Sequence, residues 1–159
     1  MKIAVFPGSF DPITNGHLDI LKRAIPLFDK IIVLVAINES KKENFTLEER
    51  TQMIKEATKE FNNVEVDFYD GLTVDYAKNH GATYLIRGIR NTSDYDYELE
   101  LYKANKSLNN SIETVFFMAS DDYSLISSSK INELKKNKVD ISNLVPNSVI
   151  KMYKKKYNI

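Results

Sequence analysis

The sequence of 159 residues predicts an α/β protein: a single-domain, Rossmann-like doubly wound sheet of five parallel strands with C-terminal helices. Short apolar runs rich in β-branched residues alternate with segments whose apolar residues recur every three or four positions. Strands that alternate with helices pair in parallel through right-handed crossovers. No repeat and no low-complexity linker interrupts this order, so residues 1–159 are expected to form one domain.

The predicted strands are short and apolar. The run Ile31 to Ile37 is continuous and β-branched, which is typical of a strand buried on both faces. Val64 to Phe68 instead alternates, which indicates a strand with one buried face. The five predicted strands are 3–6, 31–37, 64–68, 84–86 and 115–118.

The first predicted helix places its apolar residues on one face, at spacings of three and four. These residues are Leu18, Leu21, Ile25 and Phe28.

The second predicted helix opens with a capping box formed by Thr46 and Glu49. The residues expected on its inward face are Leu47, Ile54, Ala57 and Phe61.

Four further helices follow, at 72–80, 93–108, 129–136 and 147–157. Gly81 is expected to end the first of these helices, because glycine adopts the left-handed conformation of a helix C-terminus most easily. Pro146 is expected to begin the last helix. In the long helix 93–108, the predicted inward stripe is Glu98, Leu101, Asn105 and Leu108.

The composition excludes several classes of function. The chain has no cysteine, which excludes a disulfide scaffold, a thiolate metal site and a cysteine nucleophile. Its 22 basic and 22 acidic residues give a net charge of zero, which argues against a nucleic-acid partner. No apolar run could span a bilayer and no secretory signal is recognisable, so we expect a cytoplasmic protein without a membrane partner.

Ligands of doubly wound sheets bind at the carboxyl ends of the strands, where the strand order reverses. After the first strand, Gly8 allows a close approach of backbone N–H groups to a phosphate. Thr14 and His17 would project to one side at the start of the first helix, where orphan N–H groups attract anions. The alternative is that Thr14 or Asn15 caps the helix and His17 only packs.

Two arginines follow the fourth predicted strand, in the segment Arg87 to Arg90. Gly88 is expected to allow a sharp turn between them, and guanidinium groups bind phosphate oxygens in a bidentate manner. The alternative is that both arginines form ion pairs with nearby acids such as Asp94 or Asp96.

Three serines, at 127–129, open the helix after the fifth strand. Their hydroxyl and backbone N–H groups suit a phosphate, and a plain helix cap is the alternative. The neighbouring acids Asp121 and Asp122 are expected to be solvated, and no residue is assigned to a metal.

Four segments resemble the nucleotidyltransferase superfamily whose signature is His/Thr-x-Gly-His, and more narrowly the phosphopantetheine adenylyltransferase family. They are 8–17, 45–50, 85–90 and 126–129, and the likeness extends over essentially the whole chain. The resemblance implies transfer of the adenylyl group of ATP to 4′-phosphopantetheine, which gives dephospho-coenzyme A and pyrophosphate in coenzyme A synthesis. One departure is Ala119-Ser120, where the family commonly has Pro-Ser.

The resemblance also implies roles for single residues. His17 would be catalytic, contacting ATP and stabilising the transition state, and Ser9 would orient the attacking phosphate. The implied acceptor-binding residues are Ser9, Lys41, Thr73 and Arg87. The implied ATP-binding residues are Ser9, Phe10, His17, Gly88, Ile89, Arg90, Glu98, Tyr123, Ser124, Leu125, Ile126, Ser127, Ser128 and Ser129.

The resemblance further implies Mg²⁺ carried on the ATP phosphates, dephospho-coenzyme A and coenzyme A as ligands, and a homohexamer. An outward aromatic face with Tyr95 and Tyr97 on the helix 93–108 fits contacts between subunits. Two alternatives stay open. One is a related nucleotidyltransferase with nicotinamide mononucleotide or an alcohol phosphate as acceptor. The other is a receiver-like regulatory domain, although Phe6-Pro7-Gly8 offers none of the acids that such a domain needs.

Overall fold

The computed structural model describes residues 1–37 and 42–159, and its strands form a single parallel sheet. The strand order is β3-β2-β1-β4-β5, so the winding direction reverses between β1 and β4. The strands are β1 Ile3–Gly8, β2 Lys30–Ala36, β3 Val64–Tyr69, β4 Tyr84–Ile89 and β5 Glu113–Met118. The predicted α/β class with five parallel strands is confirmed.

The helices cover both faces of the sheet. They are α1 Asn15–Ala24, α2 Leu47–Thr58, α3 Thr73–Asn79, α4 Thr92–Leu108, α5 Ser128–Lys136 and α6 Asn147–Tyr157. Short 3₁₀ turns occupy Ile25–Leu27 and Asp121–Tyr123. No helix in the described part of the chain is long and apolar enough to cross a membrane.

Alternate residues of the central strands point into two separate cores. Phe6 and Val33 belong to the larger core, which α1, α2, α5 and α6 cover. Val5 and Ile32 belong to the smaller core, which includes residues of α3. Both strands are therefore buried on two faces, as the continuous apolar run of β2 predicts.

Two helices end earlier than the apolar spacing predicts. Helix α1 ends at Ala24 because Pro26 has no backbone N–H for the helical ladder, and a 3₁₀ turn follows. Phe28 thus lies outside the predicted helix face, although it is buried in the same core. Helix α2 ends at Thr58, so Phe61 packs against the core from the segment that follows.

The predicted turn at Gly88 is wrong. Strand β4 continues to Ile89, and Gly88 pairs with Phe117 in the ladder. A Cβ atom at Gly88 would clash with Cδ1 of Ile20 on α1. The glycine gives room to the side chain of Ile20, because helix α1 packs directly on the strand, and the chain does not turn here.

Helix α4 differs from the prediction in what it buries. Among its 17 residues only Glu98 is buried, and Leu108, predicted to face inward, is 56% exposed in the last turn. The aromatic side chains of Tyr95 and Tyr97 are exposed, as predicted. The helix thus exposes three large side chains with apolar surface, those of Tyr95, Tyr97 and Leu108.

Candidate active site

The loop after β1 folds tightly over the end of its strand. Phe10 adopts a positive φ of 45° and is 1% exposed. Its ring lies 3.1 Å from the position that a Cβ at Gly8 would occupy. Gly8 therefore permits the close packing of this ring at the end of the strand, beside the point where the winding reverses.

Thr14 and His17 meet at the start of α1 in a reciprocal capping box. The hydroxyl oxygen of Thr14 accepts the backbone N–H of His17 at 3.4 Å. The backbone N–H of Thr14 donates to Nδ1 of His17 at 3.0 Å. Because Nδ1 is the acceptor, the neutral ring carries its proton on Nε2, which leaves that nitrogen as a donor.

The environment keeps the imidazole of His17 neutral. Burial, and then the positive charges of Arg90 and Arg87, lower the pKa of His17 to about 4. The ring packs edge-on against Phe10, with the centroids 4.9 Å apart. Thr14 does cap the helix and His17 does pack, but the ring also offers an uncharged N–H beside two arginines.

Arg87 and Glu98, both predicted site residues, bind each other. The guanidinium donates to both carboxylate oxygens of Glu98, at 2.6 and 2.8 Å, and to the carbonyl of Pro7 at 3.2 Å. Glu98 is 5% exposed, so this is a largely buried, bidentate ion pair. It joins α4 to the ends of β4 and β1.

Arg90 connects β4 to the serine loop. Its guanidinium pairs with Asp94 at 3.0 Å, which is the ion pair that the alternative interpretation of the arginines predicts. It also donates to the carbonyl of Ile126 at 3.0 Å. The side chains of Ile89 and Ile126, two further predicted site residues, are buried.

The serine loop has its hydroxyl groups in different roles. Ser127 caps α5 by accepting the backbone N–H of Lys130, and the hydroxyl of Ser128 donates to the carbonyl of Pro12 at 2.7 Å. The hydroxyl of Ser124 donates locally to Asp121. Ser129 and Leu125 are exposed.

Tyr123 lies beside the first turns of α1. Its Cβ is 3.6 Å from the position of a Cβ at Gly16, and it lines a small hollow with Asp19 and Lys22. Of the remaining predicted residues, Thr73 begins α3 after β3 and is half-buried. Lys41 lies outside the described residues.

A cleft of about 500 Å³ opens beside the β1 loop. Three predicted site residues line it: Ser9, Ser128 and Ser129. Seven further lining residues were not predicted to have a role: Asp11, Ile37, Lys42, Glu43, Asn44, Arg50 and Asn132. The cleft joins the start of α5 to the segment before α2.

Asp11 and Arg50 are the important residues that sequence reasoning missed. Both stand inside segments that carry the family resemblance, but nothing in their local spacing predicts a role. The carboxylate of Asp11 accepts the backbone N–H groups of Asn44 and Phe45, at 2.7 and 2.8 Å. These partners lie more than thirty residues away, so only the fold brings them together.

Within residues 1–37 and 42–159, no three His, Asp or Glu side chains are close enough together to hold a metal ion. Asp121 and Asp122 are exposed, as predicted. The cationic groups near His17 suit phosphate oxygens instead.

Comparison with known proteins identifies the family of this chain. The family model described as Cytidylyltransferase-like matches residues 5–134, a range that contains β2 to β5, most of β1 and the His17 capping box. The parallel sheet and this match define the class of cytidylyltransferase-like proteins.

Three relatives, each named phosphopantetheine adenylyltransferase, match nearly the full length. The protein from Caldanaerobacter subterraneus subsp. tengcongensis is 45% identical over 99% of this chain and 98% of its own. That from Lachnoclostridium phytofermentans is 46% identical over 99% and 97%, and that from Alkaliphilus metalliredigens 46% over 98% and 99%. Within the cytidylyltransferase-like class, the chain belongs to the phosphopantetheine adenylyltransferase family.

Proposed function

We propose that this chain transfers the adenylyl group of ATP to 4′-phosphopantetheine, giving dephospho-coenzyme A and pyrophosphate in coenzyme A synthesis. Its membership of the family and the cluster of phosphate-binding groups at the strand ends support this. A phosphate oxygen of the acceptor attacks the α-phosphorus of ATP in line. The bond between that phosphorus and the bridging oxygen to the β-phosphate breaks, and pyrophosphate leaves.

This reaction needs alignment more than proton transfer. The second pKa of a phosphate monoester is about 6, so the acceptor is already an anion at neutral pH and needs no strong base. Negative charge builds up on the α-phosphate oxygens in the transition state. Catalysis therefore depends on positioned donors and on positive charge near those oxygens.

The observation that carries the proposal is the state of His17. Its Nδ1 is occupied by the N–H of Thr14, so Nε2–H is the free donor, and its pKa of about 4 keeps it neutral. A neutral donor requires no proton transfer and binds the developing charge on the α-phosphate. One such donor contributes about 3–4 kcal/mol to transition-state stabilisation.

We assign the nucleotide to the His17 side of the site. Phe10, Glu98 and the segments 88–90 and 123–129 would contact ATP, and Arg90 would contribute positive charge. Its contact with the carbonyl of Ile126 supports this, because one guanidinium already bridges both segments.

We assign the acceptor to Ser9, Lys41, Thr73 and Arg87. A guanidinium has five N–H donors, and Arg87 uses three of them on Glu98 and Pro7. The remaining donors would bind the phosphate of the acceptor, while Glu98 holds the group in orientation.

We propose that Mg²⁺ enters with the phosphates of ATP. The donor chemistry around the cleft fits this. Its carboxylates are Asp11, which already accepts two backbone N–H groups, and the exposed Glu43, so with the serine hydroxyls they would leave most ligands to phosphate oxygens and water. The ion would reduce the charge of the triphosphate where it binds.

We further propose a homohexamer that binds coenzyme A and dephospho-coenzyme A as well as the substrates. The exposed side chains of Tyr95 and Tyr97 on α4, and of Phe116 and Met118 on β5, support burial against a second copy. Light scattering should give six times the mass of the chain; a monomer would contradict this. The cytoplasmic location and the absence of a nucleic-acid partner stay predictions.

The test of the proposed activity is pyrophosphate release from ATP with 4′-phosphopantetheine, compared with nicotinamide mononucleotide and a simple alcohol phosphate. We expect release only with 4′-phosphopantetheine, and dephospho-coenzyme A as the product identified by mass. Turnover with nicotinamide mononucleotide alone would overturn the proposal and favour the related nucleotidyltransferase.

A further inference from the structure

Arg50 is a buried cation beside the cleft, on the first turn of α2. Its side chain is 6% exposed, whereas the carboxylate of its partner, Glu43, is 58% exposed. Burial of a guanidinium is unfavourable unless other groups satisfy its donors. The acceptors of its hydrogen bonds therefore show which segments of the chain Arg50 holds in place.

The acceptors come from two distant parts of the chain. The guanidinium donates to the carbonyl of Ser9 at 2.9 Å, from one Nη, and to the carboxylate of Glu43 at 3.0 Å, from the other. Its Nε donates to the carbonyl of Phe45 at 3.1 Å. The planar fork thus ties the main chain of the β1 loop to the segment before α2.

Helix α2 gives Arg50 a fixed base. The hydroxyl of Thr46 accepts the N–H of Glu49 at 3.2 Å, and the carboxylate of Glu49 accepts the N–H of Thr46 at 2.9 Å. This capping box orders the turn that carries Arg50. Through Arg50, the position of Ser9 is therefore fixed relative to helix α2 on the other side of the cleft.

Asp11 supplies a second tie between the same two segments. Its carboxylate accepts the N–H groups of Asn44 and Phe45. Two charged groups, one from each side, hold the β1 loop against residues 43–45. A shift of Ser9 would have to break charge-assisted hydrogen bonds away from water.

We propose that Arg50 is a positioning residue that sets the hydroxyl of Ser9 by holding the Ser9 carbonyl, without touching the substrate itself. This inference rests on the proposed function, in which that hydroxyl orients the attacking phosphate. A lysine could keep the charge, but its single ammonium cannot reproduce the planar fork.

The test is the variant Arg50→Lys in the pyrophosphate-release assay, with the full-length protein. We expect kcat to fall by about tenfold to a hundredfold, because small misalignments of reacting groups have effects of this size. The KM values for ATP and 4′-phosphopantetheine should stay within about threefold, since Arg50 itself touches neither substrate.

The matched control is Arg23→Lys. Arg23 also pairs with one carboxylate, Asp19 at 3.1 Å, and donates to one backbone carbonyl, that of Met118. It does not line the cleft. Its kcat should stay within about twofold of the original value, because exposed ion pairs contribute little.

A double-mutant cycle with Ser9→Ala separates positioning from general loosening. In the Ser9→Ala background there is no hydroxyl to position, so Arg50→Lys should lower kcat by less than about threefold. Should Arg50→Lys fail to fold, Glu43→Gln removes only the exposed carboxylate partner. It should lower kcat by about threefold in the original chain and not in the Ser9→Ala chain.

Three outcomes overturn the inference while the original chain is active: an unchanged kcat, a change in KM alone, or equal losses in both backgrounds. An original chain that forms no dephospho-coenzyme A overturns the proposed function instead.

Discussion

Helices α1 and α4 flank the point where the sheet reverses its winding, but they are held in different ways. Helix α1 has 10 residues and buries four apolar ones: Leu18, Ile20, Leu21 and Ala24. Helix α4 has 17 residues and buries one, the charged Glu98. Apolar packing thus fixes the helix that carries His17. Ion pairs attach α4 to the sheet instead, and the pair of Arg87 with Glu98 is the most buried of them.

The difference has a physical reason. Removing apolar surface from water holds a helix in place without depending on one group or on pH. An ion pair depends on both partners, and its loss leaves an uncompensated charge. The geometry of His17 should therefore survive changes that loosen α4.

The largest expected effect comes from His17→Ala. Removing the Nε2–H donor should lower kcat by about 10²–10³-fold, with the Kd for ATP nearly unchanged, because the donor acts on charge that develops in the transition state. Turnover assays and calorimetric titration of ATP measure the two quantities.

The control for this variant is His80→Ala. His80 is exposed and stacks on Tyr76, away from the cleft. It should keep its full kcat. If His17→Ala were equally active, His17 would only be a packing residue of α1.

The next effect tests the attachment of α4. Glu98→Gln removes the buried charge that pairs with Arg87 and should lower the free energy of unfolding by about 3 kcal/mol. Glu100→Gln alters an exposed pair with Lys103, with N and O 3.7 Å apart, and should change it by less than about 0.5 kcal/mol. Urea unfolding measures both; equal effects would show that the ion pair does not hold the helix.

The last effect concerns the dependence of stability on pH, which reaches its full size only in acid. The pKa of His17 is lowered to about 4 in the folded chain, so between pH 4 and 6.5 the unfolded chain binds more protons. The contribution of neutral His17 to the free energy of unfolding is therefore fully present above pH 6.5. It is lost as the pH falls towards 4, by up to about 3 kcal/mol.

The variant His17→Gln makes this visible. Glutamine can still accept the N–H of Thr14 in the capping box but does not titrate. Urea midpoints at pH 7 and pH 4.5 should differ less for this variant than for the original chain. An equal difference would mean that His17 is not the group responsible.

The sequence alone predicts the sheet and most helices because their signals are local. The capping box of Thr46 and Glu49 and the positive φ of Gly81, 70°, both follow from neighbouring residues. Gly88 was predicted wrongly because its cause, the side chain of Ile20, lies on another element. The prediction that Leu108 faces inward is wrong for a similar reason, since spacing defines a helix face but not what covers it.

The contacts of the candidate site also divide into local ones, which the sequence predicts, and long-range ones, which it does not. The proximity of Thr14 and His17 is a matter of one helical turn, and sequence spacing predicts it. The partners of Arg87 and Arg50 are set by the fold, because Pro7 and Ser9 lie 80 and 41 residues away in the chain. Charges near a site can be predicted from the sequence, but which of them are already paired cannot.

The capping box at Thr14 and His17 links helix formation to proton chemistry. Nδ1 of His17 closes the first turn of α1 as an acceptor. A proton on Nδ1 would point at the N–H of Thr14, and two donors cannot bond to each other. Acid would therefore charge the ring and open the start of the helix in one event. The helix start is thus intact only while Nδ1 is unprotonated, which is also the state in which the ring is neutral and Nε2 carries the donor proton.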